Sequence, residues 1–350
     1  MDQPASTVAS RGREQDQGAP PGSGRADRLP VPVWIIAAAF VVLELAVSGR
    51  YGFMQDELYF IEAGRHLAFG YIDQPSLMPL LDKTTSIFGL HPAAILVIPA
   101  LAGGAVVVIA ARCAWVFGAG HLGQAIAALA TACMPVLLGA DHVGNTTPIE
   151  LLAWAAVVLS VSMALLRGKH RWWVGAGLAA GLGLEDNNLV VLLLLALGAG
   201  VALTMYRAAL RTRWPWIGVA VAGAIWLPNL IWQAANGWPQ LAMASALHHE
   251  NSSAADYAGG LPAQLLYVGL LAVPIFIAGL ILLFRTRELR FIGIAFAIVV
   301  VYVLAWVPGR PYYADGLAPP CSRPVPWPPS AGSCGLAVRG CERPPRWPRR

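Results

Sequence analysis

Nine apolar runs, each near the length a helix needs to cross a lipid bilayer, occupy most of this chain: roughly 31–48, 91–111, 122–140, 148–166, 172–184, 188–205, 214–233, 262–284 and 291–307. Their weight shows in the composition. Of 350 residues, 57% are hydrophobic and 12% charged, with a mean hydropathy of +0.59. A soluble domain carries about 25% charged residues. So few charges cannot build a water-facing surface, which excludes a soluble globular protein and predicts an all-α polytopic membrane protein of about nine transmembrane helices. Residues 1–30 are polar and hold Arg11, Arg13, Arg25 and Arg28, but no apolar core or small-residue cleavage site. They read as a disordered tail and not as a signal peptide. Two of the five cysteines, Cys113 and Cys133, fall in apolar spans and the others in the C-terminal tail, so no disulfide framework is expected.

Lysine and arginine orient the spans. With the N-terminus in the cytoplasm, fourteen basic residues fall inside: the four of the tail, Arg112, and the trios Arg167/Lys169/Arg171, Arg207/Arg211/Arg213 and Arg285/Arg287/Arg290. Four, Arg50, Arg65, Lys83 and Arg310, fall outside. This bias sets the topology by the positive-inside rule. It also supports the short, Gly-rich fifth span, without which the later loops would alternate wrongly. The carboxylates gather at the opposite, outer end, among them Asp56, Glu57, Glu62, Asp73, Asp82, Asp141, Glu150, Glu185 and Asp186.

The segment 49–90 is too long and too patterned for a simple connector. "DELYFIEAGRHLAF" sets Leu58, Ile61, Leu67 and Phe69 among charges at near-helical spacing, and "QPSLMPLLDKTTSIFGL" places Leu77, Leu80 and Leu81 on one face after Pro75. Two amphipathic helices lying in the membrane interface, joined by "GYIDQP", are expected. Asp56 and Glu57 then stand where the first span gives way to the first surface helix. A carboxylate there can cap free N–H groups and meet the positive end of the helix dipole. Held beside a substrate hydroxyl, it can instead act as a general base, for which no metal or other cofactor is required.

The order "DELYF…AGRHLAFGYIDQPSLMPLL", then "LPNLIWQAANGWPQL" at 227–241, then "GRPYYADGL" at 309–317, resembles bacterial family 39 glycosyltransferases over about residues 31–317. These are relatives of the protein O-mannosyltransferases and of the aminoarabinose transferase that modifies lipid A. The resemblance implies a type-C glycosyltransferase fold with its active site on the outer face and a sugar donor carried on a polyprenyl phosphate. It makes Asp56 the catalytic base, with Glu57 its catalytic neighbour. Asp73 and Gln74 of the hinge, Lys83, Glu150, Arg310, Tyr312 and Tyr313 are the expected substrate-binding residues, Lys83 and Arg310 as candidate cations for the leaving phosphate. Structural readings stand beside these: Lys83 as a snorkelling interfacial lysine, Arg310 as the flank of the last span. In one place the sequence departs from its relatives. The turn "LEDNNLV" at 184–190 holds no basic residue where many of them do.

Other polar groups have ordinary explanations. Thr147, Pro148 and Glu150 in "GNTTPIELLAW" have the spacing of a capping box. Asp186 and Asn187 can cap the sixth span. His248, His249 and Glu250, with Asp141 and His142, give a weak metal signal because neighbouring side chains diverge, so no metal ligands are assigned. Glu44 lies inside the first span and must face protein or water. Pro228 falls inside the seventh, where it is expected to kink the helix, and Trp226, Trp232 and Trp238 suit an interfacial belt or, alternatively, a sugar platform.

Residues 318–350 change character, with three cysteines, seven prolines and no apolar run after position 320. They are expected to be an aberrant reading frame or a disordered tail, in the first case on a truncated product without activity. The sequence thus points to a multi-pass enzyme of the plasma membrane, N-terminus cytoplasmic. It would move a hexose or pentose, with inversion, from a polyprenyl-phosphate donor to a lipid, glycan or protein acceptor at the outer face. Its remaining partners are membrane lipids, and nucleic acid is not among them. A transporter or lipid flippase is the alternative, with midplane binding and internal repeats; only Glu44 speaks for it.

Overall fold

The computed structural model describes residues 28–50, 52–250, 253–269 and 273–306. All regular structure among them is helical. The first span is α1 (Val31–Ser48). Two short helices follow, α2 (Gln55–Arg65) and α3 (Leu77–Thr85), then α4 (Pro92–Ile95) and α5 (Val97–Val116). Next come α6 (His121–Ala132), α7 (Pro135–Asp141), α8 (Thr147–Leu166), α9 (Trp172–Leu184), α10 (Val190–Ala202) and α11 (Arg213–Ala235). The described chain ends with α12 (Pro239–Glu250), α13 (Ala254–Val268), α14 (Val273–Arg285) and α15 (Arg290–Trp306).

The span at Val31–Ser48, and those at Pro92–Val116, Thr147–Leu166 and Arg213–Ala235, are long and apolar enough to cross a membrane unaided. Three more reach that length only as bent pairs: α6 with α7 at 56°, α10 with the 3-10 segment Met205–Arg211 at 114°, and α14 with α15 at 120°. The expected third span is therefore broken, where Pro135 deprives the backbone of a donor and starts a new helix. The expected eighth span, 262–284, is not one helix, since α13 ends at Val268 and α14 begins at Val273. Gly269 ends α13 with φ of +90°, a conformation glycine adopts at little cost. The stretch 234–261, expected as a loop, contains α12 and the start of α13. By contrast, α11 runs on through Pro228.

The core is built on α5 and α8, which pack side by side, with α1 and α6 against α5 and α9 against α8. Helix α11 lies along α9, and α10 against α15. The α9–α11 contact explains the Gly-rich fifth span. Gly177 and Gly181 on α9 meet Gly218 and Ala222 on α11 so closely that a Cβ at Gly177 would run into the Gly218 carbonyl. Small residues four apart let backbones approach where apolar surface alone gives little reason for helices to associate in lipid.

Charge separates the two ends of this bundle. At one, Arg167 donates to Trp115 O at 2.9 Å, and both Arg112 and Arg167 stack over the Trp115 ring. There Tyr206, just before Arg207 of the 3-10 segment, packs edge-on against Phe291, just after Arg290. At the other end lie α2, α3 and the acidic turns. Ser76 donates to Glu185 at 2.7 Å, and the backbone of Leu77 donates to Glu185 O at 2.8 Å, tying the first loop to the far end of α9. Asn229 of α11 donates to Phe69 O at 3.0 Å. The expected pair of short helices after the first span is present. They pack on each other at Gly64, where a Cβ would come within 2.9 Å of Pro79 O.

Candidate active site

The site begins with the way α2 starts. Glu57 is 1% exposed. Its carboxylate accepts from Met54 N–H at 3.1 Å, capping its own helix, and from Gly144 N–H at 3.1 Å across the fold. Successive helical residues point about 100° apart, so when Glu57 turns into the protein its neighbour turns away from it. Asp56 accordingly faces a cavity of about 600 Å³.

Segments distant in sequence wall this cavity. Helix α2 gives Asp56, Tyr59 and Phe60, and the hinge gives Asp73, Gln74 and Pro75. The turn before α8 adds Asn145, Thr146 and Thr147, and the turn between α9 and α10 adds Asp186, Asn187 and Asn188. From the last helices come Gln240 and Leu247 of α12, with Tyr302 and Trp306 of α15. Polar and aromatic groups converge on a concave space, which is the form of a small-molecule site. None of the described lining residues is basic. A smaller apolar cavity of about 140 Å³, lined by residues such as Val157, Trp173 and Leu197, offers no comparable chemistry.

Local bonds fix the walls. Tyr59 donates to Asp73 Oδ1 at 2.7 Å, and burial, helped by that bond, holds the phenol proton on well above the usual tyrosine range. The hinge turns on Tyr71, whose N–H donates to Gln74 O at 2.8 Å and whose carbonyl accepts from Gln240 Nε2 at 3.0 Å. Asn188 in turn donates to Gln240 Oε1 at 2.6 Å. Gly70 precedes this turn because a Cβ there would strike Trp232 at 2.6 Å and Asn229 at 2.7 Å. That contact puts Trp232 to packing the hinge.

Asp186 is the group that sequence reading missed. It is 1% exposed, lines the cavity, and neither carboxylate oxygen has a hydrogen-bond partner among the described residues. Burial, and then the nearby Glu150, push its pKa well above the usual carboxylate range. A protonated carboxyl can donate a hydrogen bond into the cavity. Of the two residues expected to cap the sixth span, Asn187 accepts from Leu189 N–H at 3.0 Å just ahead of α10, and Asp186 does not take part.

Of the expected site residues, the structure brings Asp56, Asp73 and Gln74 to the cavity. Glu57 lies behind the wall. Glu150 is buried and accepts from Asn187 Nδ2 at 2.9 Å, so it reaches the cavity only through Asn187. The capping box expected for Thr147 and Glu150 does not form: Thr147 N–H donates to Asn145 Oδ1 at 3.0 Å, and the N-cap is Thr146, whose side chain makes no cap bond. Lys83 is exposed on α3 and does not line the cavity. Arg310, Tyr312 and Tyr313 lie outside the described residues, as do the tail 318–350 and most of 1–30.

Among the described residues no three His, Cys, Asp or Glu side chains are grouped to hold a metal ion. His248 stacks on Trp306 with ring centres 4.2 Å apart, while His142 pairs with Glu44 at 2.6 Å. Glu44 thus faces protein, as a carboxylate within a span must.

A bundle of long apolar helices with an acidic, aromatic-lined cavity at one end defines a class, the all-α polytopic membrane proteins. Two comparisons agree with it. Residues 73–232 match the family described as dolichyl-phosphate-mannose-protein mannosyltransferase. The fold superposes on the crystal structure of ArnT from Cupriavidus metallidurans bound to undecaprenyl phosphate, with a TM-score of 0.67 and 20% identity over 84% of this chain and 59% of that one. The resemblance read from the sequence is borne out, and the chain spans about three-fifths of that protein's length. Asp56 and Glu57 lie just before the family match. No curated protein matches the chain.

Proposed function

We propose that this chain transfers a sugar from a polyprenyl-phosphate donor to a hydroxyl acceptor at the surface of the cell membrane, with the N-terminus in the cytoplasm and the cavity on the outer side. The observation that carries the reading is the placement of Asp56. It stands at the start of a surface helix, in the wall of a cavity large enough for a sugar and its acceptor, at the end of the bundle away from the arginine clusters. A polyprenyl chain presents its phosphate only at the membrane interface, which is where this reading puts α2 and α3. The family match at 73–232 and the ArnT fold point the same way.

In this reading the acceptor oxygen attacks the anomeric carbon as the bond to the phosphate oxygen breaks. The acceptor proton passes to Asp56, the bonding pair leaves with the phosphate, and direct displacement inverts the anomeric centre. Asp73, steadied by Tyr59, and Gln74 bind sugar hydroxyls. The phosphate leaves as an anion that needs no proton but does need positive charge nearby. Arg310 is the candidate for that role, since Lys83 stands outside the cavity, and the reaction requires no metal of its own.

Asp56→Asn, expressed in membranes supplied with a labelled polyprenyl-phosphate sugar, is expected to lose about 100-fold to 10,000-fold in rate, the range a positioned base contributes. Wild-type activity in that variant would remove Asp56 as the base.

A further inference from the structure

Glu57 touches nothing in the cavity, yet it is more completely fixed than Asp56 beside it. One carboxylate oxygen takes the Met54 N–H that begins α2, and the other takes the N–H of Gly144, 87 residues further on. The chain from Gly144 leads straight into Asn145, Thr146 and Thr147, which form the facing wall of the cavity. The fit at this point is close. A Cβ on Gly144 would come within 2.9 Å of Ile95 Cγ2 and 3.0 Å of Glu57 Cγ. The same segment is held at its other end by His142 against Glu44 of α1, at 2.6 Å.

We propose that Glu57 is a positioning residue whose carboxylate ties the start of α2 to the 142–147 segment, and so fixes Asp56 relative to the Asn145–Thr147 wall. The inference rests on the reading of Asp56 as base, which it deepens by separating the roles of two adjacent acids. Two charge-assisted bonds to backbone amides hold a buried carboxylate in one orientation. Without them the base and the facing wall can drift apart, and a displacement of about 1 Å can cost on the order of 100-fold in rate.

The test uses Glu57→Ala, Glu57→Gln and Gly144→Ala in the full-length chain, each read by hydrogen–deuterium exchange and by sugar transfer. Glu57→Ala is expected to speed exchange in peptides covering 142–147 at least 10-fold. It should lower kcat about 100-fold with little change in donor KM, and keep the shape of the pH profile, because Asp56 still takes the proton. Glu57→Gln, which keeps an acceptor oxygen for one of the two amides, should fall between wild type and Glu57→Ala. Gly144→Ala, pressing on the same bond from the opposite side, should loosen the same peptides. Unchanged exchange in both Glu57→Ala and Gly144→Ala overturns the tie whatever the activity. A Glu57→Gln variant as inactive as Asp56→Asn, with one limb of the pH profile gone, overturns it in favour of a direct acid–base role. Loosening in a chain whose wild type transfers no sugar upholds the tie and removes the enzyme reading instead.

Discussion

Replacing Asp82 by asparagine should stabilise the protein, and by an amount that depends on pH. Asp82 is 1% exposed on α3, and its Oδ2 has no hydrogen-bond partner among the described residues. Burial, with a further contribution from the Glu57 charge, raises its pKa from 3.8 to about 7. Between those values the folded protein keeps a proton that the unfolded chain has lost, so stability falls as pH rises through the window and stays lower above it. At about 1.4 kcal/mol per pKa unit the full penalty is roughly 4 kcal/mol above pH 7, and at pH 5 only about 1.5 kcal/mol has accrued. Asparagine carries no charge at either pH and keeps nearly the same shape. Thermal melting of the purified protein in detergent should therefore show Asp82→Asn several degrees above wild type at pH 8, and about a third of that gain at pH 5. Equal gains at the two pH values, or none, would refute the reasoning, because they would mean that Asp82 ionises freely in the folded state.

Two further substitutions probe the packing and the cavity. Gly177→Ala drives a methyl group into the Gly218 backbone and should cost about 1–3 kcal/mol in the same melting assay, whereas Gly223→Ala, with nothing within 4 Å of the new Cβ, should gain about 0.5–1 kcal/mol from helix propensity. Tyr59→Phe removes the 2.7 Å bond to Asp73 at the cavity edge, an exposed pair. It should cost no more than about 1 kcal/mol in stability while raising donor KM several-fold in the transfer assay.

Much of the architecture could be read from the residues because it depends on local quantities. The positions of α1, α5, α8 and α11 follow from apolar length, and the two short helices after α1 from charges placed at helical spacing. Lys and Arg clusters sorted the ends of the bundle before any packing was known. What escaped reading depends on neighbours far away in the chain. "DE" at 56–57 does not say that one acid faces a cavity and the next reaches Gly144, since that is decided by which turn lies over α2. Asp186 read as a helix cap because "EDNN" is good capping sequence; its place in the wall comes from the α9–α10 turn meeting the hinge and α12 around the cavity. The break near Gly269 lay hidden because 262–284 is apolar on both sides of it, and hydropathy does not register where one helix ends and the next begins.

The carboxylates at this end make little sense as architecture alone. A buried acid without hydrogen-bond partners weakens a fold, and near-isosteric asparagine would relieve the charge. Yet, among the described residues, Asp186 and one oxygen of Asp82 are buried without hydrogen-bond partners, Glu150 lies next to Asp186, and Asp82 feels the charge of Glu57. Of these acids Asp186 lines the space into which Asp56 projects, and the others lie behind its wall. Stability given up locally, where every other level of the sequence agrees with the fold, marks a place shaped by function. The same accounting joins the predictions to one another. If Asp82→Asn stabilises the chain as calculated and also slows sugar transfer, the cost it removes was serving the reaction. If it stabilises the chain and leaves transfer unchanged, the acids nearest α2 belong to the scaffold, and the chemistry rests on the groups that face the cavity directly.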